Sequence, residues 1–241
     1  MTNRVLIQEE YTDLKKKYHR LILSEDANST FKVYGELEFT ASSGGVPIED
    51  AFSIEILIPA DYPATPPIAK EVGNRIPKKF HKYSDDSLCL AAPLEVRKIF
   101  AENRSLVGFT EKLLIHYLYN FVIWEKTGAT PFGELSHGGK GLIEYYKEEF
   151  GVLSDIQVLS LLRVLAENNY RGHLPCPCGS GKRMRCCHGK LLMDFRQFQS
   201  NHDFFAEYYK CIEYIASYDK YMIKPFLSSK FKKMAEKLLL V

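Results

Sequence analysis

Hydrophobic positions change period several times along this chain, and each change marks an element. Over residues 3–18, Val5, Leu6, Tyr11, Leu14 and Tyr18 fall near one helical stripe with charges opposite, which predicts an N-terminal helix. The segment LILSED follows, then a break at Ala27-Asn28-Ser29. In TFKVYGELEFTAS the period drops to two. Phe31, Val33, Leu37 and Phe39 share one parity, the mark of a half-buried strand. After the turn-rich connector SSGGVP, AFSIEILIP repeats the alternation with Phe52, Ile54, Ile56 and Ile58. It stops at YPATPP (Tyr62–Pro67), where prolines at 63, 66 and 67 fix φ and remove amide donors. A short strand is expected at IAKEV. The first ninety residues therefore predict a helix, an antiparallel meander of three or four strands and an irregular stretch ending at Cys89.

From Leu106 the period is helical again, with Leu106, Phe109, Leu113, Tyr117, Leu118, Phe121 and Trp124 recurring at three- and four-residue steps. This predicts one long helix burying its stripe on the sheet. TGATPFGELSHGGKG, with five glycines, reads as a loop, and LIEYYKEEF as a shorter helix that stops at Gly151. Ser154-Asp155-Ile156-Gln157 before VLSLLRVL has the form of a capping box opening a further helix. NNYRGHLP is the expected boundary before a cysteine cluster, beyond which lie two or three helices rich in Phe, Tyr and Lys.

Composition narrows the class. Hydrophobic residues make up 46% of the chain and charged residues 26%, which suits a folded globular protein and excludes a disordered one. The net charge of +2 gives no global pull toward nucleic acid or a membrane, and no aromatic-basic groove pattern appears, so neither is expected as a partner. No apolar run approaches a membrane span, and MTNRVLIQEEY lacks the apolar core of a secretory leader, so a cytoplasmic protein is expected.

Four of the six cysteines crowd into Cys176–Cys187. In a cytoplasmic setting this reads as metal binding, with a redox-active pair as the alternative. CPCGSGKRMRCCHG offers Cys176, Cys178, Cys186, Cys187 and His188 as soft ligands, and zinc wants four in a tetrahedron. The central GSG supplies the reversal that brings the two halves together. So short a segment has no room for a hydrophobic core, so metal would supply its folding energy. Lys182, Arg183, Arg185 and Lys190 make the knuckle a compact positive surface. These fourteen residues resemble the SEC-C module of the bacterial preprotein translocase motor. The resemblance implies Cys176, Cys178, Cys187 and His188 as ligands of a structural zinc ion, with Cys186 as a competitor, and a role in recruiting a partner. Four protein ligands leave no open position for metal catalysis.

Cys89 lies in SLCL, eight residues after His81, beyond a polar turn. A cysteine between leucines is by itself more often a buried thiol than a nucleophile. Its frame argues otherwise. Residues 3–125 resemble a ubiquitin-conjugating enzyme domain in the order of helix, meander, proline turn (IPADYPATPP), His-bearing loop, cysteine (LCL, Leu88–Leu90) and long helix. The resemblance implies an α+β fold of that type over residues 1–151, then a connecting helix (152–172), the zinc motif (173–190) and a helical region (191–241). It also implies Cys89 as the thioester-forming cysteine. The family's His-Pro-Asn triplet is replaced by Lys79-Phe80-His81, so His81 stands where the oxyanion-stabilising asparagine would be.

Tyr83, Asp85, Asp86 and His137 suit a gate beside an incoming lysine, while His116 and Cys211 read as structural. The partners implied are a ubiquitin-like modifier, its activating enzyme and a protein target. The resemblance extends to bacterial relatives in antiphage operons, where the acceptor or the donor can be a nucleotide cyclase. The competing expectation is a catalytically silent adaptor of the same fold that recruits a partner through its zinc knuckle.

Overall fold

A computed structural model describes residues 4–27, 29–43, 45–129 and 138–233. The chain divides into two compact units, residues 1–134 and 135–241. The first opens with α1 (Arg4–Lys17), followed by β1 (Leu21–Glu25), β2 (Phe31–Ser43), β3 (Val46–Ile58) and β4 (Ile68–Glu71). These four strands form one antiparallel sheet in sequence order. β2 and β3 pair along their whole length, from Phe31 opposite Ile58 to Ser43 opposite Val46. The expected alternation is what the sheet buries: Phe31, Val33, Leu37 and Phe39 from β2, and Phe52, Ile54, Ile56 and Ile58 from β3. Gly35 faces Leu21 across the β1–β2 pair with φ +136°, and a Cβ there would run into the Arg20 carbonyl.

In α1 the buried positions are Ile7 and Leu14, while Val5, expected on the stripe, is 64% exposed. Glu10 fastens this helix to the rest of the unit. Its carboxylate accepts the Tyr62 hydroxyl from the proline turn and the Leu106 amide at 2.8 Å. Tyr62 is fully buried and its bond to Pro63 is cis.

After the cysteine-bearing loop comes α2 (Pro93–Glu102), which the hydrophobic pattern did not announce. Proline stands in its first turn, a position with no amide to lose. The long helix predicted from Leu106 is present as three joined pieces. These are α3 (Leu106–Phe109), a π-helical turn (Thr110–Leu114) and α4 (Ile115–Thr127). Its stripe is buried as far as Phe121, and Trp124 is partly buried. Helix and sheet meet where the Phe121 ring stands edge-on to Phe52 at 5.9 Å.

The second unit contains α5 (Gly138–Phe150), α6 (Asp155–Ala166), α7 (Gly189–Phe195) and α8 (Asn201–Tyr218). The resemblance carries the first domain on to residue 151; the division into compact units falls at residue 134, and α5 packs on α6 and α8. The capping box predicted for α6 is present, with the Ser154 and Gln157 side chains each bonded to the other's backbone amide. Cys211 is fully buried in α8. Among the described residues, no helix is long and apolar enough to cross a membrane.

Candidate functional site

Residues 81–89 form a small hairpin. The Tyr83 amide donates to the Ser87 carbonyl at 2.8 Å, Lys82 pairs with Leu88, and the Cys89 amide donates to the His81 carbonyl at 2.7 Å. This register sets Cys89 and His81 across from each other at the open end. The hairpin is held to β4 by the Leu88 amide on the Ala69 carbonyl (2.8 Å) and by a bridge between Lys70 and Ser87. The tip is closed by Asp85, whose carboxylate accepts from the Ser87 amide and hydroxyl (3.1 and 2.6 Å). These bonds to Ser87 hold the Asp85 carboxyl below its ordinary range against a smaller opposing effect of burial.

Leu88 is core, while Cys89 is half-buried, its thiol donating to the Ala91 carbonyl over 3.8 Å. His81 adopts a left-handed backbone (φ +39°), and its ring packs edge-on against Phe80 at 5.1 Å. Tyr83, Asp85 and Asp86 are exposed on the turn. His116 is on the exposed side of α4, and His137 lies outside the described residues.

Two features beneath the hairpin were not legible as site residues. The Tyr117 hydroxyl on α4 donates to the Phe80 carbonyl (2.9 Å) and the His81 carbonyl (3.2 Å), so one group holds the backbone on which His81 turns. Burial pushes this phenol far above its ordinary range, with smaller upward contributions from neighbouring Cys89 and Glu71. It stays protonated and remains a fixed donor. Glu71 at the end of β4 is the second feature. Its carboxylate accepts the Ile76 and Arg75 amides (3.1 and 3.3 Å) and faces Lys82 Nζ at 3.5 Å. The side chains of Lys82 and Glu71 are only 6% and 1% exposed, so the pair is buried.

In the second unit, Cys176, Cys178, Cys187 and His188 converge, with all four ligand atoms within 4.8 Å of one another. Cys176 Sγ and Cys187 Sγ lie 3.3 and 3.2 Å from His188 Nδ1, and Cys178 Sγ lies 3.6 Å from Cys187 Sγ. The chain reverses through Gly179 (φ +83°) and Gly181 (φ +71°), and the Cys176 amide closes the turn on the Lys182 carbonyl at 2.7 Å. His188 Nε2 is 2.8 Å from the Phe150 carbonyl. A carbonyl only accepts, so Nε2 carries the hydrogen and Nδ1 turns its lone pair to the sulfurs. Burial lifts the Cys176 thiol to about 11. At Cys178 burial acts the same way, but bonds from Ser180 and the neighbouring thiols outweigh it and bring the group down to about 6. Cys186 is exposed and stands outside the cluster. Three sulfurs and one oriented imidazole can bind a metal ion.

No family model and no curated protein matches this sequence. Among solved structures, the chain is similar to the yeast vps23 UEV domain in complex with a vps27 PSDP peptide. Identity is 16% and the TM-score 0.23, over 34% of this chain and 62% of that one. A complex of the Vps23 UEV with ubiquitin gives 17% identity and a TM-score of 0.22, over 34% and 61%. In both, the aligned region is less than two thirds of the neighbour's own length, and at these TM-scores neither likeness bears on the function.

Proposed function

We propose that the first unit is a ubiquitin-conjugating-like domain that carries a ubiquitin-like protein as a thioester on Cys89. The observation that carries this reading is the hairpin register, which brings Cys89 opposite His81 and leaves the thiol half-buried at the open end. Helix, four-stranded antiparallel meander, proline turn, cysteine hairpin and helices follow one another in the order that the sequence resemblance implies.

The chemistry is thermoneutral at loading. The Cys89 thiolate attacks the thioester carbonyl of the modifier on its activating enzyme, and the carrier's sulfur leaves as the new C–S bond forms. At transfer, a lysine amine of a target protein attacks that carbonyl, gives up a proton and displaces Cys89 Sγ. His81 would donate an N–H to the developing oxyanion or take the amine's proton. Tyr117 positions His81 through the backbone.

In the second unit Cys176, Cys178, Cys187 and His188 would hold a structural zinc ion. Tetrahedral zinc with Zn–S of about 2.3 Å and Zn–N of about 2.0 Å has ligand–ligand edges of roughly 3.5–3.8 Å. Three separations, at 3.2–3.6 Å, lie at or just below those edges, and the whole set lies within 4.8 Å, so a tetrahedral ion would be accepted with small shifts of the ligands.

One observation favours a second reading, a non-conjugating adaptor. The His81 ring is committed to the aromatic face of Phe80, which is itself packed against Tyr117, Phe121 and Trp124. Non-reducing gels after incubation with activating enzyme, modifier and ATP separate the two. A thiol-sensitive adduct that is lost in Cys89→Ala supports conjugation. In the same assay, His81→Ala is expected to load normally and discharge to lysine more slowly. Absence of any adduct leaves the adaptor.

A further inference from the structure

The second unit holds a groove of about 400 Å³, a size that suits one or two apolar side chains of a bound segment. Its walls come from four places. α6 supplies Val164 and Arg163, the approach to the knuckle supplies Arg171 and Leu174, and Met184 and Phe226 complete the lining. Leu174 is 47% exposed although it is apolar. The carboxylate in this lining, Glu167, is already engaged by Arg163 Nε at 2.9 Å and faces the Ser228 hydroxyl at 3.4 Å, so the groove gains no free negative charge from it.

The segment 171–190, which lends the groove Arg171, Leu174, Pro175, Pro177 and Met184, carries charge of one sign. Residues 171–190 contain no aspartate or glutamate, while Arg171, Lys182, Arg183, Arg185 and Lys190 are all exposed. Among the described residues, none of these five forms an ion pair, and Arg171 meets only the Asn169 side-chain oxygen, at 3.2 Å. Elsewhere in the unit the usual interleaving holds, as in Lys147–Asp155 and Lys140–Glu144. A metal bound to three thiolates would add one net negative charge, which offsets only one of the five cations. A segment of one sign that borders a partly apolar cleft favours an anionic partner with an apolar anchor.

We infer that this groove docks an acidic peptide segment, with a leucine-like side chain in the cleft and carboxylates on Arg171 and the other cations of the same segment. Phe226 is the one aromatic residue in the lining, so the groove lacks the stacking platform on which single-stranded nucleic acid depends. The inference names the chemistry of a recruited partner and does not depend on Cys89.

Fluorescence anisotropy on the full zinc-loaded chain tests it. The probe is a fluorescein-labelled decapeptide of alternating Glu and Asp around two central leucines. Saturable binding is expected, weakened about tenfold when serines replace the leucines and about tenfold again by Arg171→Glu with Lys182→Glu, with Cys89→Ala unchanged. Arg171→Gln should give the same ranking at smaller amplitude, and unchanged zinc content shows the knuckle intact in each variant. The inference is overturned if the serine peptide or a deoxythymidine decanucleotide binds as tightly as the leucine peptide, or if no saturable binding appears.

Discussion

Glu207 gives the second unit a pH-dependent stability whose size can be worked from its surroundings. It is 4% exposed within α8, and its two oxygens accept the Tyr146 hydroxyl and the Gln199 amide, each at 2.6 Å. Burial raises its carboxyl and those two bonds lower it, leaving it at about 7. The unfolded chain holds this proton only up to about 4.5, so the stabilisation is full below that pH and is lost as pH rises toward 7. A shift of about 2.5 pH units corresponds to about 3 kcal/mol in all, of which about 2 kcal/mol falls between pH 5.5 and 8. Glu207→Gln abolishes the titration. Gln199 has an oxygen that is buried without a partner, so rotating its amide would offer that oxygen to the new side-chain NH₂. Trp124 is the chain's single tryptophan and reports the first unit, so the second is best followed by hydrogen exchange of α8 amides. The variant should gain about 2 kcal/mol over the wild type on going from pH 5.5 to 8. Equal differences at the two pH values would refute the assignment.

Three further outcomes follow from the geometry. Tyr117→Phe removes the bonds to the Phe80 and His81 carbonyls and should cost about 1–2 kcal/mol in urea unfolding read by Trp124, and unchanged stability would show that the hydroxyl does not hold the loop. Lys82→Met leaves the buried Glu71 charge with backbone amides alone and should cost about 3 kcal/mol, part of it recovered when Glu71→Gln is added; no recovery would mean that the pair is not coupled. Cys176→Ser should abolish stoichiometric zinc by elemental analysis while Cys186→Ser keeps it, and the reverse order would exchange their roles.

Period and parity carried the sheet. β2 and β3 each have one buried face, so a polar slip at any of eight positions would have been visible in the sequence. The α6 capping box was equally legible, because both partners lie within four residues. What Gln157 also does was not. Its side-chain oxygen caps the helix while its nitrogen reaches the Cys178 carbonyl at 2.6 Å, tying the knuckle to α6. α2 escaped notice because its buried residues, Leu94 and Phe100, are six apart and the positions between them are only half-buried. Tyr117 read as one more member of an apolar stripe, since its hydroxyl finds carbonyls 36 and 37 residues upstream. Glu71 read as a strand residue, and its burial became intelligible only with Lys82 and two amides folded onto it. Local pattern reaches what is settled within a turn or across a pleat; side-chain bonds to distant backbone lie beyond it.

Whether Cys89 takes an acyl group is tested most directly by the intact mass of the protein after incubation with ubiquitin activated as its mercaptoethanesulfonate thioester, which bypasses the activating enzyme. A single ubiquitin adduct is expected on the wild type and on Cys186→Ser, removed by dithiothreitol and missing in Cys89→Ala. An adduct that persists in Cys89→Ala, or a wild type that stays unmodified while remaining folded, would contradict it.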